Sequence, residues 1–257
     1  PQARQRFQVH LFVTCLADLF RPSVAFNSIA LLEEAGCDVT VPMSQTCCGQ
    51  PAYNTGDYEA TVPVAQRFIE TFEAADYVVA PSGSCVGMIN HHYPKILEGQ
   101  WRERALSLAA KTFELTQFLS EVAGLDRPIE KRKKVGSVTY HDSCAGLREL
   151  GIEAQPRQLL DTLCSAELRE LQDTDVCCGF GGTFCTKMPE LSANMASNKL
   201  EAAQASGAHI LAGGDLGCLM NLAGRAKRDG IEIEVRHIAE LLAVDLATPA
   251  IGEGSQS

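Results

Sequence analysis

The sequence predicts an α/β protein that consists of two tandem, similar Rossmann-like domains with mostly parallel sheets. Strand-like apolar runs alternate with helical patterns along the 257 residues, and this alternation is typical of parallel sheets with helical crossovers. The arrangement of cysteines also occurs twice, which indicates an internal duplication. A charged segment at residues 128–134 separates the two copies. We therefore expect a first cysteine-rich domain at residues 1–128 and a second at residues 129–257.

Each half predicts the same order of elements from its apolar periodicity and its turn residues. The first helix of the first half, for example, has Pro22 near its start and Gly36 just past its end. The predicted order in the first half is strand 7–13, helix 22–36, strand 39–41, helix 57–75 and strand 77–80, with an additional helix near 101–110. The second half predicts strand 135–140, a helix from 156, strand 168–171, helix 189–206 and strand 209–212.

Eight of the eleven cysteines form two sets with one pattern: a single cysteine, an adjacent pair followed by glycine, and a second single cysteine. The intervening segments hold 31 and 36 residues in the first set, and 32 and 39 in the second. Each landmark follows a predicted strand, and ligands of parallel sheets bind beyond the carboxyl ends of the strands. We therefore expect each set to converge on one site. The sets are Cys15, Cys47, Cys48 and Cys85, and Cys144, Cys177, Cys178 and Cys218.

Composition excludes several classes of function. The 22 basic and 32 acidic residues give a net charge of −10, and no basic stripe or aromatic platform is present, so we expect no nucleic-acid partner. No run of eighteen apolar residues predicts a transmembrane segment. The amino-terminal stretch is too briefly apolar for a secretion signal, and many cysteines in such a chain are more often metal or redox groups than disulfides. We therefore expect a cytoplasmic protein.

Four converging thiolates can hold either a zinc ion or an iron–sulfur cluster. Zinc fingers and ribbons take their cysteines from local C-x₂₋₄-C pairs, and none occurs among the eight repeated positions. Adjacent thiolates such as Cys47 and Cys48 suit a cluster with several irons better than one tetrahedral ion. An iron–sulfur cluster is therefore favoured, while zinc and metal-free thiol or disulfide chemistry remain alternatives.

Five stretches, FVTCLADLFRPSV, QTCCGQPAYNTGD, PSGSCVGMI, YHDSCAGLRELGI and CCGFGGTF, carry a family resemblance that spans both halves. The repeated pattern resembles the CCG domain of heterodisulfide reductase B subunits and of the iron–sulfur subunits of glycolate oxidase and anaerobic glycerol-3-phosphate dehydrogenase. The stretches are most similar to the two-domain iron–sulfur subunits of L-lactate utilisation complexes. This resemblance implies an electron-transfer subunit that works beside a ferredoxin-like iron–sulfur protein and a third small subunit to oxidise L-lactate to pyruvate.

The resemblance also implies a ligand set and a cofactor. The first set of four cysteines would hold one cluster and the second set another, each expected to be a 4Fe–4S cluster. In the heterodisulfide reductase pattern each motif ends in C-x-x-C and provides a fifth cysteine, but here Met88 and Asn221 stand at those positions. This departure favours electron relay over the heterodisulfide-type oxidoreductase, which remains an alternative together with a structural metal-binding scaffold.

Several residues near the repeated cysteines are weaker candidates. His141 and Asp142 precede Cys144 and form a candidate proton-transfer pair, although a turn cap at Asp142 or Ser143 with a locally bonded His141 is the more ordinary interpretation. The pair His91-His92 is expected at the surface, with metal binding as an alternative.

The three cysteines outside the two sets are interpreted separately. Cys37 and Cys164 hold matching places and are expected in the core. Cys185 has no counterpart in the first half and is a candidate spare ligand or redox thiol. The glycines around the second CCG lack the spacing of a nucleotide-binding loop, so we expect their backbone N–H groups to approach cluster sulfurs instead. We expect Gly49 and Gly179 to serve the same close approach.

Overall fold

The computed structural model describes residues 6–125 and 134–253. The chain divides into two compact units, residues 1–125 and 126–257. The predicted boundary segment, residues 128–134, lies outside the described residues except for Lys134. Each unit contains one four-stranded parallel sheet whose strands are connected through helices, so the predicted α/β class and the duplication are confirmed.

The first unit follows the predicted order of elements closely. Its strands are β1 (Phe7–Leu11), β2 (Cys37–Thr40), β3 (Tyr77–Ala80) and β4 (Thr112–Glu114). Its helices are α1 (Cys15–Phe20), α2 (Pro22–Glu34), α3 (Gln50–Asn54), α4 (Tyr58–Phe72), α5 (Gly83–Gly87), α6 (Tyr93–Ile96), α7 (Gly99–Ala109) and α8 (Leu115–Gln117). Two π-helical turns cover Met88–His92 and Phe118–Val122.

The second unit repeats this plan. Its strands are β5 (Ser137–His141), β6 (Glu167–Leu168), β7 (Ile210–Gly213) and β8 (Glu234–His237). Its helices are α9 (Cys144–Arg148), α10 (Ala154–Cys164), α11 (Phe184–Lys187), α12 (Pro189–Ala205), α13 (Leu216–Asp229) and α14 (Ile238–Leu242). No helix within the described ranges is long and apolar enough to cross a membrane.

Both sheets reverse their strand order at the same point. The order is β2-β1-β3-β4 in the first unit and β6-β5-β7-β8 in the second, and all pairs are parallel. In the first unit β2 therefore pairs with one edge of β1 and β3 with the other. In the second unit β6 and β7 flank β5 in the same way. This arrangement puts a topological switch point between β1 and β3, and another between β5 and β7. Ligands of open α/β sheets bind at such points, beyond the carboxyl ends of the strands.

The last strand of each unit was not predicted. β4 has three residues with one apolar side chain between two polar ones, which is too short for a periodic signal. β8 carries Arg236 and His237, which are buried in spite of their polarity. Arg236 pairs with Glu234 and donates to the Thr248 carbonyl, while the His237 ring accepts the first N–H groups of α14. These polar groups can be buried because they form hydrogen bonds nearby. Their polarity gave the sequence no apolar pattern from which a buried strand could be predicted.

The long helices α4 and α12 present matching faces to their cores. The buried positions recur at helical spacing, three or four residues apart, as expected for one apolar stripe. They are Thr61, Ala65, Phe68, Ile69 and Phe72 in α4, and Ser192, Ala196, Lys199, Leu200 and Ala203 in α12. The two stripes therefore correspond position by position, with Lys199 in the place of Phe68.

Candidate metal centres

All three cysteine landmarks of each unit lie at the carboxyl ends of strands. In the first unit Cys15 begins α1 after β1, the CCG loop follows β2, and Cys85 lies in α5 after β3. In the second unit Cys144 begins α9 after β5, and Cys218 lies in the first turn of α13 after β7. The two single cysteines of each set thus flank the switch point, and the pair approaches from the neighbouring strand. The sheet topology brings together the residues that the sequence spacing predicted.

The first set forms a continuous chain of sulfur contacts. The sulfur of Cys15 lies 3.7 Å from that of Cys47, and the sulfur of Cys48 lies 3.5 Å from that of Cys85. The neighbouring side chains of Cys47 and Cys48 also interact, which joins the two pairs. Cys48 and Cys85 are buried, whereas Cys15 and Cys47 are half-buried. One side of the group is therefore closed by the core, and the other faces outward.

The second set repeats this chain of contacts. The side chain of Cys144 interacts with that of Cys177, Cys177 interacts with Cys178, and Cys178 interacts with Cys218. Only Cys178 is fully buried in this set, so more of the group is open than in the first unit. None of the eleven cysteines forms a disulfide.

A glycine after each pair directs a backbone donor at the group. Gly49 and Gly179 adopt left-handed conformations with φ of 80° and 82°. In each case the glycine N–H donates to the sulfur two residues earlier, Cys47 or Cys177, at 3.4 Å. Gly49 and Gly179 thus make the close backbone approach expected of them, here to a cysteine sulfur. Glycine is required because other residues are strained at this φ.

The neighbouring thiols and the glycine N–H lower the pKa of one cysteine in each set. The Cys15 thiol donates to Cys47, and this bond, the neighbouring Cys48 thiol and the Gly49 N–H lower the pKa of Cys47 to about 3. The corresponding interactions with Cys144 and Cys178 lower the pKa of Cys177 to about 2. The donating thiols of Cys15 and Cys144 have raised pKa values because they lose these bonds on ionisation. These interactions therefore favour the thiolate form at the first cysteine of each CCG.

The second cysteine of each CCG is held through its carbonyl. The hydroxyl of buried Tyr93 donates to the Cys48 carbonyl at 2.8 Å, and the Asn221 amide donates to the Cys178 carbonyl at 2.9 Å. Asn221 stands where the heterodisulfide pattern has its fifth cysteine, and Met88 at the matching place is fully buried. Both positions serve packing or loop support in this chain.

His141 is the last residue of β5 and lies beside the second set. One of its ring nitrogens and the sulfurs of Cys178 and Cys218 lie within 4.8 Å of one another. Its side chain is 1% exposed, and neither ring nitrogen has a hydrogen-bond partner within residues 6–125 and 134–253. Burial and the Lys199 cation lower the pKa of His141 to about 3. The expected local hydrogen bond of His141 is not formed.

Asp142 turns away from His141 to an arginine. Both of its carboxylate oxygens accept from Arg157 of α10, at 2.8 and 3.0 Å, and this bonding raises the pKa of Arg157. Arg157 also bonds to Glu170. The cap expected at this turn is formed by Ser143, whose hydroxyl accepts from the Gly146 N–H. The Asp142 carboxylate is thus engaged in an ion pair, and no bond joins it to His141.

Lys199 is a buried cation that the sequence interpretation missed. Its ammonium donates to the carbonyls of Asp173 and Thr174, at 2.6 and 3.2 Å, and so fixes the loop before the second CCG. Burial lowers the pKa of Lys199. The signal was present in the sequence, because Lys199 lies three residues after Ala196 on the apolar stripe of α12.

Comparison with known proteins identifies the family. A family model described as the CCG cysteine-rich domain matches twice, at residues 9–90 and 138–223. The chain belongs to the CCG cysteine-rich domain family. It is similar to lactate utilization protein A of Exiguobacterium sp. strain AT1b, with 49% identity over 91% of this chain and 96% of the relative. It is also similar to lactate utilization protein A of Halalkalibacterium halodurans, at 47% over 91% and 96%, and to lactate utilization protein A 2 of Bacillus cereus strain Q1, at 42% over 93% and 99%.

The donor set of each CCG domain fits more than one kind of metal centre. A 4Fe–4S cluster takes four thiolates, and each domain provides four, with a backbone N–H directed at one of them. A single zinc ion fits by distance, because Zn–S bonds of about 2.3 Å place tetrahedral sulfurs about 3.8 Å apart. The 3.5 and 3.7 Å separations in the first domain are close to this value. Thiolates on separate irons stand farther apart, so the cysteines would spread to hold a cluster.

The first CCG domain has a pocket at the open side of its cysteines. This pocket has a volume of about 310 Å³, and its lining includes Phe12, Leu19, Met43 and both half-buried cysteines, Cys15 and Cys47. The open sulfurs are therefore reached through a mainly apolar surface.

The remaining predicted residues fall outside the two groups. Cys37 and Cys164 are buried, as predicted for core residues. Cys185 is half-buried, and its thiol donates to the Gly182 carbonyl at 3.7 Å. His91 is exposed as expected, whereas His92 is half-buried and its ring lies 4.6 Å from that of Tyr53.

Proposed function

We propose that this chain is an iron–sulfur electron-transfer subunit of a complex that oxidises L-lactate to pyruvate. The observation that carries the proposal is the pair of four-cysteine groups, one at the switch point of each CCG domain. The relatives named lactate utilization protein A support the choice of substrate. The proposed ligands are Cys15, Cys47, Cys48 and Cys85 in the first domain, and Cys144, Cys177, Cys178 and Cys218 in the second.

A bound 4Fe–4S cluster supplies one-electron transfer. The chain contributes the thiolates, the glycine N–H groups that stabilise negative charge on sulfur, and a buried wall that keeps water from one side of each group. The half-buried Cys15 and Cys47 offer an exit route for an electron toward a partner surface. We propose as partners a ferredoxin-like iron–sulfur protein and a third small subunit, and hydride chemistry is assigned to that complex.

The cytoplasm is the proposed location. Cys15 and Cys47, and likewise Cys48 and Cys85, lie in sulfur contact without a disulfide. Such pairs persist as thiols in a reducing compartment. The chain is therefore proposed to act as the electron-transfer component of a cytoplasmic lactate dehydrogenase complex.

A structural zinc scaffold is the second candidate. The sulfur separations of 3.5 and 3.7 Å favour it, since they match a single tetrahedral ion. Metal-free disulfide chemistry of the heterodisulfide type is less supported. Met88 and Asn221 leave four thiols in each domain, and the Asn221 amide is engaged with the Cys178 carbonyl.

Metal analysis of anaerobically purified protein tests the cofactor. We expect about eight irons and as many labile sulfides per chain, with paramagnetic resonance signals after reduction. Cys48→Ser and Cys178→Ser should each lower the iron content to about four. The matched control Cys37→Ser removes a buried thiol outside both groups and should retain all the iron. About two zinc ions per chain without iron would instead establish the scaffold.

Growth of a host lacking this chain tests the substrate. The disrupted strain should fail to grow on L-lactate as the only carbon source and should grow normally on pyruvate. The intact chain should restore growth on L-lactate, and Cys178→Ser should not. Normal growth of the disrupted strain on L-lactate would remove lactate oxidation from the proposal while leaving the metal centres in place.

A further inference from the structure

The second CCG domain contains a buried imidazole that no described residue satisfies. His141 is 1% exposed, and both its Nδ1 and its Nε2 lack a hydrogen-bond partner among the described residues. An unpaired buried polar group is destabilising, and such groups are rare in native proteins. Where they occur, they commonly indicate a bound group that completes the bonding.

The surroundings of His141 show where such a group would lie. The sulfurs of Cys178 and Cys218 lie within 4.8 Å of a ring nitrogen and of each other. The imidazole therefore borders the four-cysteine group on its buried side. An imidazole carries at least one N–H in either charge state, and a thiolate or a cluster sulfide accepts such a bond.

The first CCG domain has no imidazole in the matching place. Phe12 lies three residues before Cys15, and His141 lies three residues before Cys144. Phe12 directly follows β1, and His141 is the last residue of β5. Phe12 is buried, and its ring packs on Phe68 at 4.8 Å between centroids. The duplication thus provides a natural comparison in which an apolar ring replaces the nitrogen donor.

We propose that His141 donates an N–H hydrogen bond to the sulfur atoms of the second metal centre and thereby raises its reduction potential. This inference rests on the proposed iron–sulfur function. Four cysteines already supply the four ligands of a cluster, so the imidazole acts as a positioning and tuning residue beside them. A donor to sulfur stabilises the reduced form, which carries more negative charge, and the potential rises.

Potentiometric titration of the anaerobic, iron-loaded protein tests this role, with paramagnetic resonance as the readout. His141→Phe places in the second domain the residue that the first domain has. We expect a lower midpoint potential for the second centre, an unchanged potential for the first, and the full iron content. His141→Gln retains an N–H donor and should shift the potential less than His141→Phe. The first centre of the same molecule serves as the internal control.

Each other outcome has a defined meaning. A fully iron-loaded His141→Phe protein with an unchanged second potential overturns this proposal and leaves the proposed function intact. Strong hyperfine coupling to ¹⁵N-histidine in the reduced protein would make His141 an iron ligand and would also overturn it. A protein with zinc and no iron overturns both proposals. If His141→Phe does not fold, His141→Leu gives the same measurement, and an unchanged potential again contradicts the tuning role.

Discussion

The two CCG domains hold their cysteines alike but differ in the layer directly beneath them. In the first domain Phe12 and Phe68 pack edge to face, with centroids 4.8 Å apart. In the second, the matching positions are His141 and Lys199, both buried. The strand order and the contacts among the cysteines are nevertheless the same. The comparison shows that topology and glycine geometry position the sulfurs, while the side chains beneath them differ between the two domains.

The largest expected effect concerns an ion pair that only the second domain has at this place. Asp142 is 2% exposed and depends on Arg157 for both oxygens, whereas the first domain has Val13 at the corresponding position. Arg157→Leu leaves a buried carboxylate without its partner and should lower the free energy of unfolding by about 3 kcal/mol. Denaturant unfolding at fixed metal content measures the loss.

A double variant and an exposed control sharpen this prediction. Asp142→Val, which introduces the first-domain residue, combined with Arg157→Leu removes both charges of the pair and should recover most of the lost free energy. Arg67→Leu disrupts the exposed pair with Glu70 and should change stability by less than about 0.5 kcal/mol. A double variant as unstable as Arg157→Leu would show that Arg157 acts through contacts other than Asp142.

Sequence patterns predicted the shared part of the two domains better than the part in which they differ. The strands before Cys15, Cys85, Cys144 and Cys218 are short and rich in β-branched or aromatic residues, or wholly apolar. The repeated spacing therefore places these cysteines beyond the strand ends. Convergence then follows from strand order, because carboxyl ends of parallel strands meet at one edge. The glycine after each cysteine pair was similarly informative, since its φ is tied to a close backbone approach.

Contacts between distant residues could not be predicted in the same way. Asp142 follows His141 in the sequence, and this neighbourhood suggested a proton-transfer pair, but the structure directs the carboxylate to Arg157. Tyr93 lies 45 residues from the Cys48 carbonyl that it binds. Neither contact leaves a periodic pattern, because each depends on how a helix is placed on its sheet. Lys199 differs, since its position on the stripe of α12 was visible and was overlooked.

The CCG glycines provide the next comparison, because their surroundings differ although their φ values agree. A Cβ at Gly179 would lie 2.6 Å from the Ser192 carbonyl oxygen, which is fixed in α12, whereas one at Gly49 would lie 3.3 Å from a movable Val64 methyl. The left-handed conformation alone costs about 1–2 kcal/mol for alanine. Gly179→Ala should therefore destabilise by about 3 kcal/mol and Gly49→Ala by about 1–2 kcal/mol.

Gly36→Ala isolates the conformational part of this difference. Gly36 has a φ of 87° with open space around its Cβ position, so its substitution should cost about as much as Gly49→Ala. Thermal or denaturant unfolding of the three variants gives the ranking. Equal losses for Gly49→Ala and Gly179→Ala would mean that α12 yields to the added methyl group, contrary to the expected rigidity of this domain.

The smallest expected effect concerns the two side chains that donate to the CCG carbonyls, Tyr93 in the first domain and Asn221 in the second. Tyr93→Phe removes the hydroxyl that binds the fully buried Cys48, and burial raises the pKa of Tyr93 so that this hydroxyl stays a donor. The loss should be about 1–2 kcal/mol. Asn221→Ala should cost about 0.5–1 kcal/mol, because Asn221 is half-buried and water can replace its amide at the Cys178 carbonyl.

Metal release distinguishes these supports by domain. Iron extraction by a chelator should become faster at the first centre in Tyr93→Phe and at the second centre in Asn221→Ala, because each loosens only its own cysteine pair. Tyr58→Phe, which changes an exposed tyrosine of the first domain, should leave both extraction rates unchanged. Faster loss from both centres in either variant would show that the two domains share one metal-binding unit, and the independence of the duplicated sites would then be wrong.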